Sequence, residues 1–170
     1  LHPVAGRPMI HYPVRSALDL GAERVVLVLG HQADAVDAYC RTAFPGSPIT
    51  IAIQEEQLGT AHAVMCARDA LSGFAGDVFI LSGDVPTLPT SIIERLDADA
   101  GEAAVAVLGM RLDDPASYGR LVSGDDGQLT AIVEAVDCTA QQLEIDAVNA
   151  GVYRVDAEHL FSTLDSLSTE

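Results

Sequence analysis

The sequence contains no lysine and no tryptophan, and aromatic residues make up only 5% of its 170 residues. Its nine cationic residues are all Arg, against 25 Asp and Glu, which gives a formal net charge of −16. So acidic a chain is repelled by nucleic acid and by anionic membrane surfaces, and we expect neither partner. Because 49% of the residues are hydrophobic but few are aromatic, the core must consist of Ala, Val, Leu and Ile.

Cysteine is scarce as well. Cys40, Cys66 and Cys138 form no CxxC pair, which argues against a disulfide framework and a zinc site and fits a reducing cytoplasm. The five histidines lack any metal-binding spacing, and neither a GxSxG elbow nor a P-loop occurs. No segment resembles a signal peptide, and the apolar runs are too short to span a membrane. We expect a cytoplasmic chain that folds as a single domain over residues 1–170, with a processed or truncated start because it does not begin with Met.

Short β-branched runs alternate with amphipathic stretches along the chain. Strands are predicted at 25–29, 49–53, 78–81, 103–108, 129–133 and 148–155, and helices at 8–20, 32–43, 61–71, 91–98 and 157–167. Pro8 suits the first turn of the first helix, Gly21 its end, and Asp156 the N-cap of the last helix. This alternation predicts an α/β fold with a mostly parallel sheet. Turn dipeptides between Gly109 and Gly127 predict an inserted loop or a small hairpin.

Ligands of open α/β sheets bind beyond the C-terminal ends of the strands, which directs attention to residues 30–34, 54–60, 82–87 and 149–151. In the second of these segments, Gln54 carries an amide that suits a nucleobase edge. Gly59 permits a close backbone approach, and Thr60 suits a helix N-cap. An ordinary capped strand–helix turn is the alternative interpretation.

Three further segments offer ligand-binding groups. Asp84 follows a buried strand at its C-terminal edge, where a single carboxylate beside phosphates is typical of a Mg²⁺ ligand; a turn residue is the alternative. Gly119 could offer backbone amides and Arg120 could pair with a phosphate, although a surface loop fits the pattern too. Glu134 and Asn149 lie at strand ends and have side chains that could bind sugar hydroxyls; solvent-exposed residues at the ends of strands are the alternative interpretation. His62, at the start of a helix, is interpreted as structural.

Taken together and in order, these segments resemble the N-terminal uridylyltransferase (pyrophosphorylase) domain of the bacterial bifunctional N-acetylglucosamine-1-phosphate uridylyltransferase/glucosamine-1-phosphate acetyltransferases. This family belongs to the sugar nucleotidyltransferases. The similarity covers nearly the whole chain and is carried by residues 1–9, 54–62, 82–86, 113–120, 132–134 and 149–151.

The resemblance implies a Rossmann-like three-layer nucleotidyltransferase fold with a mixed, mostly parallel sheet. It also implies uridylyl transfer from UTP to N-acetylglucosamine-1-phosphate, giving UDP-N-acetylglucosamine and pyrophosphate for cell-envelope and peptidoglycan precursors. The implied site residues are Gln54, Gly59 and Thr60 for uracil, Asp84 for Mg²⁺, and Ser82, Gly119, Glu134 and Asn149 for the amino sugar. Ser82 stands where the family often has a Tyr, which puts that contact in question.

The sequence also departs from this family. The glycine-rich triphosphate loop, the first strand that carries it and a Lys expected just before Leu1 are missing from these 170 residues. A second metal ligand, an Asn, is expected beyond the C-terminus, and the β-helix acetyltransferase domain is not included. Because strands without their partner expose edges and the triphosphate lacks its cradle, we expect the isolated chain to be unstable or inactive.

Other functions stay open at this point. The chain could serve a thymidylyl-, guanylyl- or cytidylyltransferase acting on another sugar phosphate. It could also be a non-catalytic nucleotide-sugar binding module that lacks the loop naturally. The resemblance leaves open a homo-oligomer of a longer parent protein.

Overall fold

The structure, a computed structural model, describes residues 1–30, 33–164 and 166. The strands are β1 (Pro3–Val4), β2 (Arg7–Pro8), β3 (Val25–Leu29), β4 (Ile49–Ile53), β5 (Asp77–Ile80), β6 (Val105–Arg111), β7 (Arg120–Ser123), β8 (Leu129–Val133) and β9 (Ala147–Asp156). The helices are α1 (His11–Asp19), α2 (Ala33–Ala43), α3 (Thr60–Cys66), α4 (Thr90–Ala100), α5 (Ala140–Leu143) and α6 (Ala157–Leu164), with 3-10 turns at Asp69–Leu71 and Ala135–Asp137. In these parts of the chain, no helix has both the length and the hydrophobicity to cross a membrane.

The first half of the chain forms a parallel pair of strands covered by helices. β3 and β4 run in register from Val25 opposite Ile49 to Leu29 opposite Ile53. One hydrophobic core, made of Val14, Val25, Leu27, Cys40 and Phe44, joins α1 and α2 to β3. Because both strands run in the same direction, their carboxyl ends meet at one edge, where the segment after β4 begins.

The second half forms a five-stranded sheet around β9. The order is β5-β9-β7-β8, with β6 also paired to β9, and every pairing is antiparallel. Val148 and Val152 of β9 are 0% and 1% exposed, so the long strand runs through the centre of the core. Val155, Leu160 and Leu164 form a second hydrophobic cluster that includes partly buried residues of α3.

The predicted mixed α/β class is confirmed, but the predicted predominance of parallel strands is wrong for the described residues. Only β3 and β4 pair in parallel. A parallel pair needs a long crossover, whereas β7 and β8 are joined by residues 124–128 alone. This short connection produces an antiparallel hairpin, the second of the two structures predicted for the segment after Gly109.

Several predicted boundaries hold, whereas the helix predicted over 61–71 ends at Cys66 and one predicted helix start is wrong. Strands 25–29, 49–53 and 129–133 are confirmed, as is Asp156, whose Oδ1 accepts a hydrogen bond from the His159 amide at 3.0 Å. Gly21 ends α1 with a φ of +77°. Pro8 does not open α1: it pairs with Pro3 in a small hairpin, and the helix begins at His11. Two predicted helix ends, Gln32 and Leu167, lie outside the described residues.

A buried histidine ties the N-terminal hairpin to α2. Arg7 Nη1 donates to His11 Nε2 at 2.6 Å, and His11 Nδ1 lies 2.9 Å from the Tyr39 hydroxyl. The ring stacks on Phe44 with 4.9 Å between centroids. Burial, followed by the charges of Arg7 and Arg15, lowers the pKa of His11 below its usual value of 6.5. The neutral ring is therefore part of the folded structure.

Candidate functional site

The β4–α3 loop (residues 54–59) fixes the side chain of Gln54. The backbone N–H of Gln54 donates a hydrogen bond to Leu29 O at 2.8 Å, which extends the pairing of β3 and β4 by one residue. Its side-chain Nε2 donates to Gly59 O at 3.2 Å and lies 3.1 Å from His62 Nδ1. The side chain that the sequence singled out thus has a defined orientation, although the loop around it is exposed.

The N-cap of α3 is Gly59, not Thr60 as the sequence predicted. Gly59 has φ +93° and ψ −177°, and Thr60 is the first helical residue. Only glycine adopts this backbone conformation readily, so the chain turns at Gly59 and the helix starts one position earlier than a threonine cap would place it. The Thr60 side chain is consequently free for another role.

Three residues predicted to bind a sugar come together beside β9. The Asn149 backbone amide donates to Gly119 O at 2.8 Å. A Cβ added at Gly119 would lie 3.3 Å from Glu134 Oε1, so the Glu134 carboxylate lies directly against the Gly119 backbone. We call Ser82, Gly119, Glu134, Asn149 and Gly151 the β9 cluster.

The side chain of Asn149 links this cluster to the end of β5. Its Oδ1 accepts from the Gly151 amide at 2.9 Å, and its Nδ2 donates to the Tyr153 hydroxyl at 2.6 Å. Gly151 has φ +71°, and its carbonyl accepts from Ser82 Oγ at 3.4 Å. A continuous set of contacts therefore runs from Ser82 through Gly151, Asn149 and Gly119 to Glu134, across residues distant in sequence.

Asp84 lies in the exposed turn that follows β5, two residues beyond Ser82. No group of three His, Cys, Asp or Glu side chains within the described ranges could hold a metal by itself. Mg²⁺ ordinarily takes one or two protein carboxylates and completes its octahedron with substrate phosphates and water. A single exposed carboxylate two residues after Ser82 fits that donor set.

Arg120 serves the protein itself rather than a phosphate. It is only 3% exposed, and its guanidinium donates to Ala116 O at 3.1 Å, to Pro115 O at 3.5 Å and to Tyr118 O. Ala116 has a φ of +43°, an unfavourable conformation for a residue with a Cβ. The buried guanidinium thus holds residues 115–118 next to Gly119. The predicted contact of Arg120 with a phosphate does not fit this orientation.

Helix α3 connects the two groups of residues. Gln54 and Gly59 lie at its N-terminal end, while Val64 and Met65 pack with Val155 of β9. Val155 lies on β9, the strand that also carries Asn149. The β4–α3 loop and the β9 cluster are therefore joined through this hydrophobic cluster.

Two residues that position site side chains were not identified from the sequence. His62 was interpreted as structural, although it contacts the side chain of Gln54. Tyr153 fixes the Asn149 amide from four residues along β9. The position of His62, three residues after Gly59, was the only sequence feature that could have indicated its contact with Gln54.

The profile of the nucleotidyl transferase family matches residues 1–166. The chain belongs to this family. It is 48% identical to the bifunctional protein GlmU of Anaeromyxobacter dehalogenans over 99% of this chain, and 41% identical to that of Geobacter sulfurreducens over 100% of this chain. It spans only 35% and 36% of the lengths of these two relatives. The resemblance drawn from the motifs is confirmed, and the chain is a nucleotidyltransferase domain sequence.

Solved structures give the same fold at low sequence identity. HddC from Yersinia pseudotuberculosis matches 95% of this chain and 68% of its own with a TM-score of 0.70 and 20% identity. A putative glucose-1-phosphate thymidylyltransferase from Bacillus anthracis, in complex with a sucrose, matches 99% of this chain and 66% of its own, with a TM-score of 0.74 and 19% identity. These likenesses confirm the Rossmann-like nucleotidyltransferase fold.

Proposed function

We propose that the chain forms the uridine- and sugar-binding part of a uridylyltransferase that acts on UTP and N-acetylglucosamine-1-phosphate. The observation that carries the proposal is the β9 cluster: Gly119, Glu134 and Asn149 meet in one place although they lie on separate elements. The Glu134 carboxylate can accept hydrogen bonds from sugar hydroxyls, and Gly119, which has no side chain, leaves its backbone groups accessible beside it. This combination suits an amino sugar.

In this proposal each group has a distinct task. Gln54, with the backbone at Gly59 and Thr60, recognises uracil, while Glu134, Asn149 and Gly119 orient the sugar. Ser82 contributes by positioning Gly151, because its hydroxyl already donates a hydrogen bond to the Gly151 carbonyl. Asp84 would hold Mg²⁺, which when bound neutralises charge on the phosphates.

The reaction needs no protein nucleophile. An oxygen of the sugar 1-phosphate attacks the α-phosphate of UTP, a new P–O bond forms, and the bond to the leaving pyrophosphate breaks. The residues act by aligning the two substrates, and alignment alone accounts for a large part of catalysis in such reactions. The product is UDP-N-acetylglucosamine, and we assign the reaction to cytoplasmic synthesis of cell-wall precursors.

Binding and turnover test different parts of the proposal. Calorimetry should detect UDP-N-acetylglucosamine binding to this chain, with weaker binding of the cytidine and guanosine analogues. Robust pyrophosphate release from UTP and N-acetylglucosamine-1-phosphate with Mg²⁺ is not expected, because no glycine-rich triphosphate loop lies within these 170 residues. A preference for a base other than uracil would contradict the assignment.

A further inference from the structure

The hydrogen bonds of Gln54 determine which of its atoms is available to a ligand. Gly59 O can only accept, so the side-chain atom 3.2 Å from it must be the amide nitrogen. The second hydrogen of that nitrogen points to a ring nitrogen of His62, 3.1 Å away. Both donors are therefore used within the protein, and Oε1 is the atom left to face a ligand.

This arrangement also sets the state of His62. Because the Gln54 nitrogen can only donate, His62 Nδ1 accepts this hydrogen bond, and the tautomer that permits it has its proton on Nε2. With Gly59 O as its single anchor, the reversed amide would lose one exposed hydrogen bond that water can replace, because the two ends of the amide have almost the same shape. With His62 Nδ1 accepting as well, reversal would cost two hydrogen bonds, and the second could form again only if the ring proton moved from Nε2 to Nδ1.

We propose that His62 is a positioning residue that sets the base preference of the site by locking the Gln54 amide with its oxygen outward. This inference rests on the proposed function, in which Gln54 meets the base. An outward oxygen pairs with an N–H, and uracil offers one at N3. Cytosine has a lone pair at N3, so the same oxygen repels it.

The chain offers a matched pair of variants to test this role. His62→Ala removes the acceptor, and a freed Gln54 can turn its NH₂ outward towards cytosine N3. His62→Asn keeps an acceptor oxygen near the position of Nδ1. Because His62 is only partly buried at the start of a short helix, both variants should keep the fold, which circular dichroism and thermal melting would verify.

The experiment is the ratio of UDP to CDP affinity, measured by calorimetry on the full chain, with N-acetylglucosamine-1-phosphate as a second probe. We expect wild type to prefer UDP, His62→Ala to lose about tenfold of that preference, and His62→Asn to retain most of it. Affinity for the sugar phosphate should not change in either variant. A loss of stability alone would lower all affinities together and leave the ratio unchanged.

The outcomes separate this inference from the proposed function. If wild type prefers UDP and His62→Ala keeps the full preference, His62 does not position Gln54 and only this inference is overturned. If His62→Asn loses as much preference as His62→Ala, the acceptor is not the cause and the inference is likewise overturned. If wild type itself shows no preference for UDP, the proposed function fails and this inference fails with it.

Discussion

The β9 cluster and the β4–α3 loop hold their polar side chains in different ways. Asn149 lies on a strand whose neighbour Val148 is fully buried, and both its backbone and its side chain are hydrogen-bonded within the sheet. Gln54 lies at the start of an exposed loop, where its backbone donates to Leu29 O and its side chain is held by Gly59 and His62. A change at Asn149 should therefore cost folding stability, whereas a change at Gln54 should alter binding and leave the fold intact.

The largest expected effect comes from Asn149→Ala. The substitution removes two partly buried hydrogen bonds next to the central core, so we expect the free energy of unfolding to fall by about 2 kcal/mol. Gln54→Ala, whose lost bonds water can replace, should cost less than about 0.5 kcal/mol. Urea denaturation of both variants measures the difference. Equal losses would mean that the two regions are not held differently.

The next effect separates binding from stability within the β9 cluster itself. Glu134 is exposed, so Glu134→Ala should leave the melting temperature unchanged. Its affinity for N-acetylglucosamine-1-phosphate should fall about tenfold, because a charged acceptor of sugar hydroxyls is lost. Glu144→Ala makes the same charge change at another exposed position and serves as the control. An unchanged affinity in Glu134→Ala, or an equal loss in the control, would remove Glu134 from the site.

A smaller effect comes from His11, which contacts neither region. Because its pKa in the folded state lies below the unfolded value of 6.5, the buried neutral ring contributes stability that is fully present above pH 6.5. That contribution is lost as the pH falls, by at most about 1.4 kcal/mol between pH 6.5 and 5.5. Urea denaturation at both pH values should show a smaller loss in His11→Asn than in wild type. His159→Gln, a change at an exposed histidine, should behave like wild type.

Much of the first half of the fold could be predicted from the sequence because its signals are local. The run Val25–Leu29 is continuously apolar and rich in β-branched Val, and the structure keeps its predicted bounds. The pairing of β9 could not be predicted in this way, since its partners β5 and β6 lie far away in the chain and no periodicity identifies a partner. The alternation of strands and helices suggested parallel strands where the chain forms a hairpin.

The site shows the same division between local and distant information. The motifs proposed the positions of the site residues, but the orientation of their side chains depends on contacts that spacing does not reveal. The sequence offered Arg120 either as a phosphate contact or as part of a surface loop, and the structure instead buries it against the carbonyls of its own loop. Thr60 was expected to cap a helix that the backbone of Gly59 starts one residue earlier.

The most direct test of the central claim, that one site holds both uridine and an amino sugar, is an amide NMR titration of this chain with UDP-N-acetylglucosamine. The account predicts that the signals of Gln54 and Gly59 shift together with those of Gly119 and Asn149, at the same ligand concentration. Shifts confined to one of these two regions, or confined to residues outside both, would contradict it.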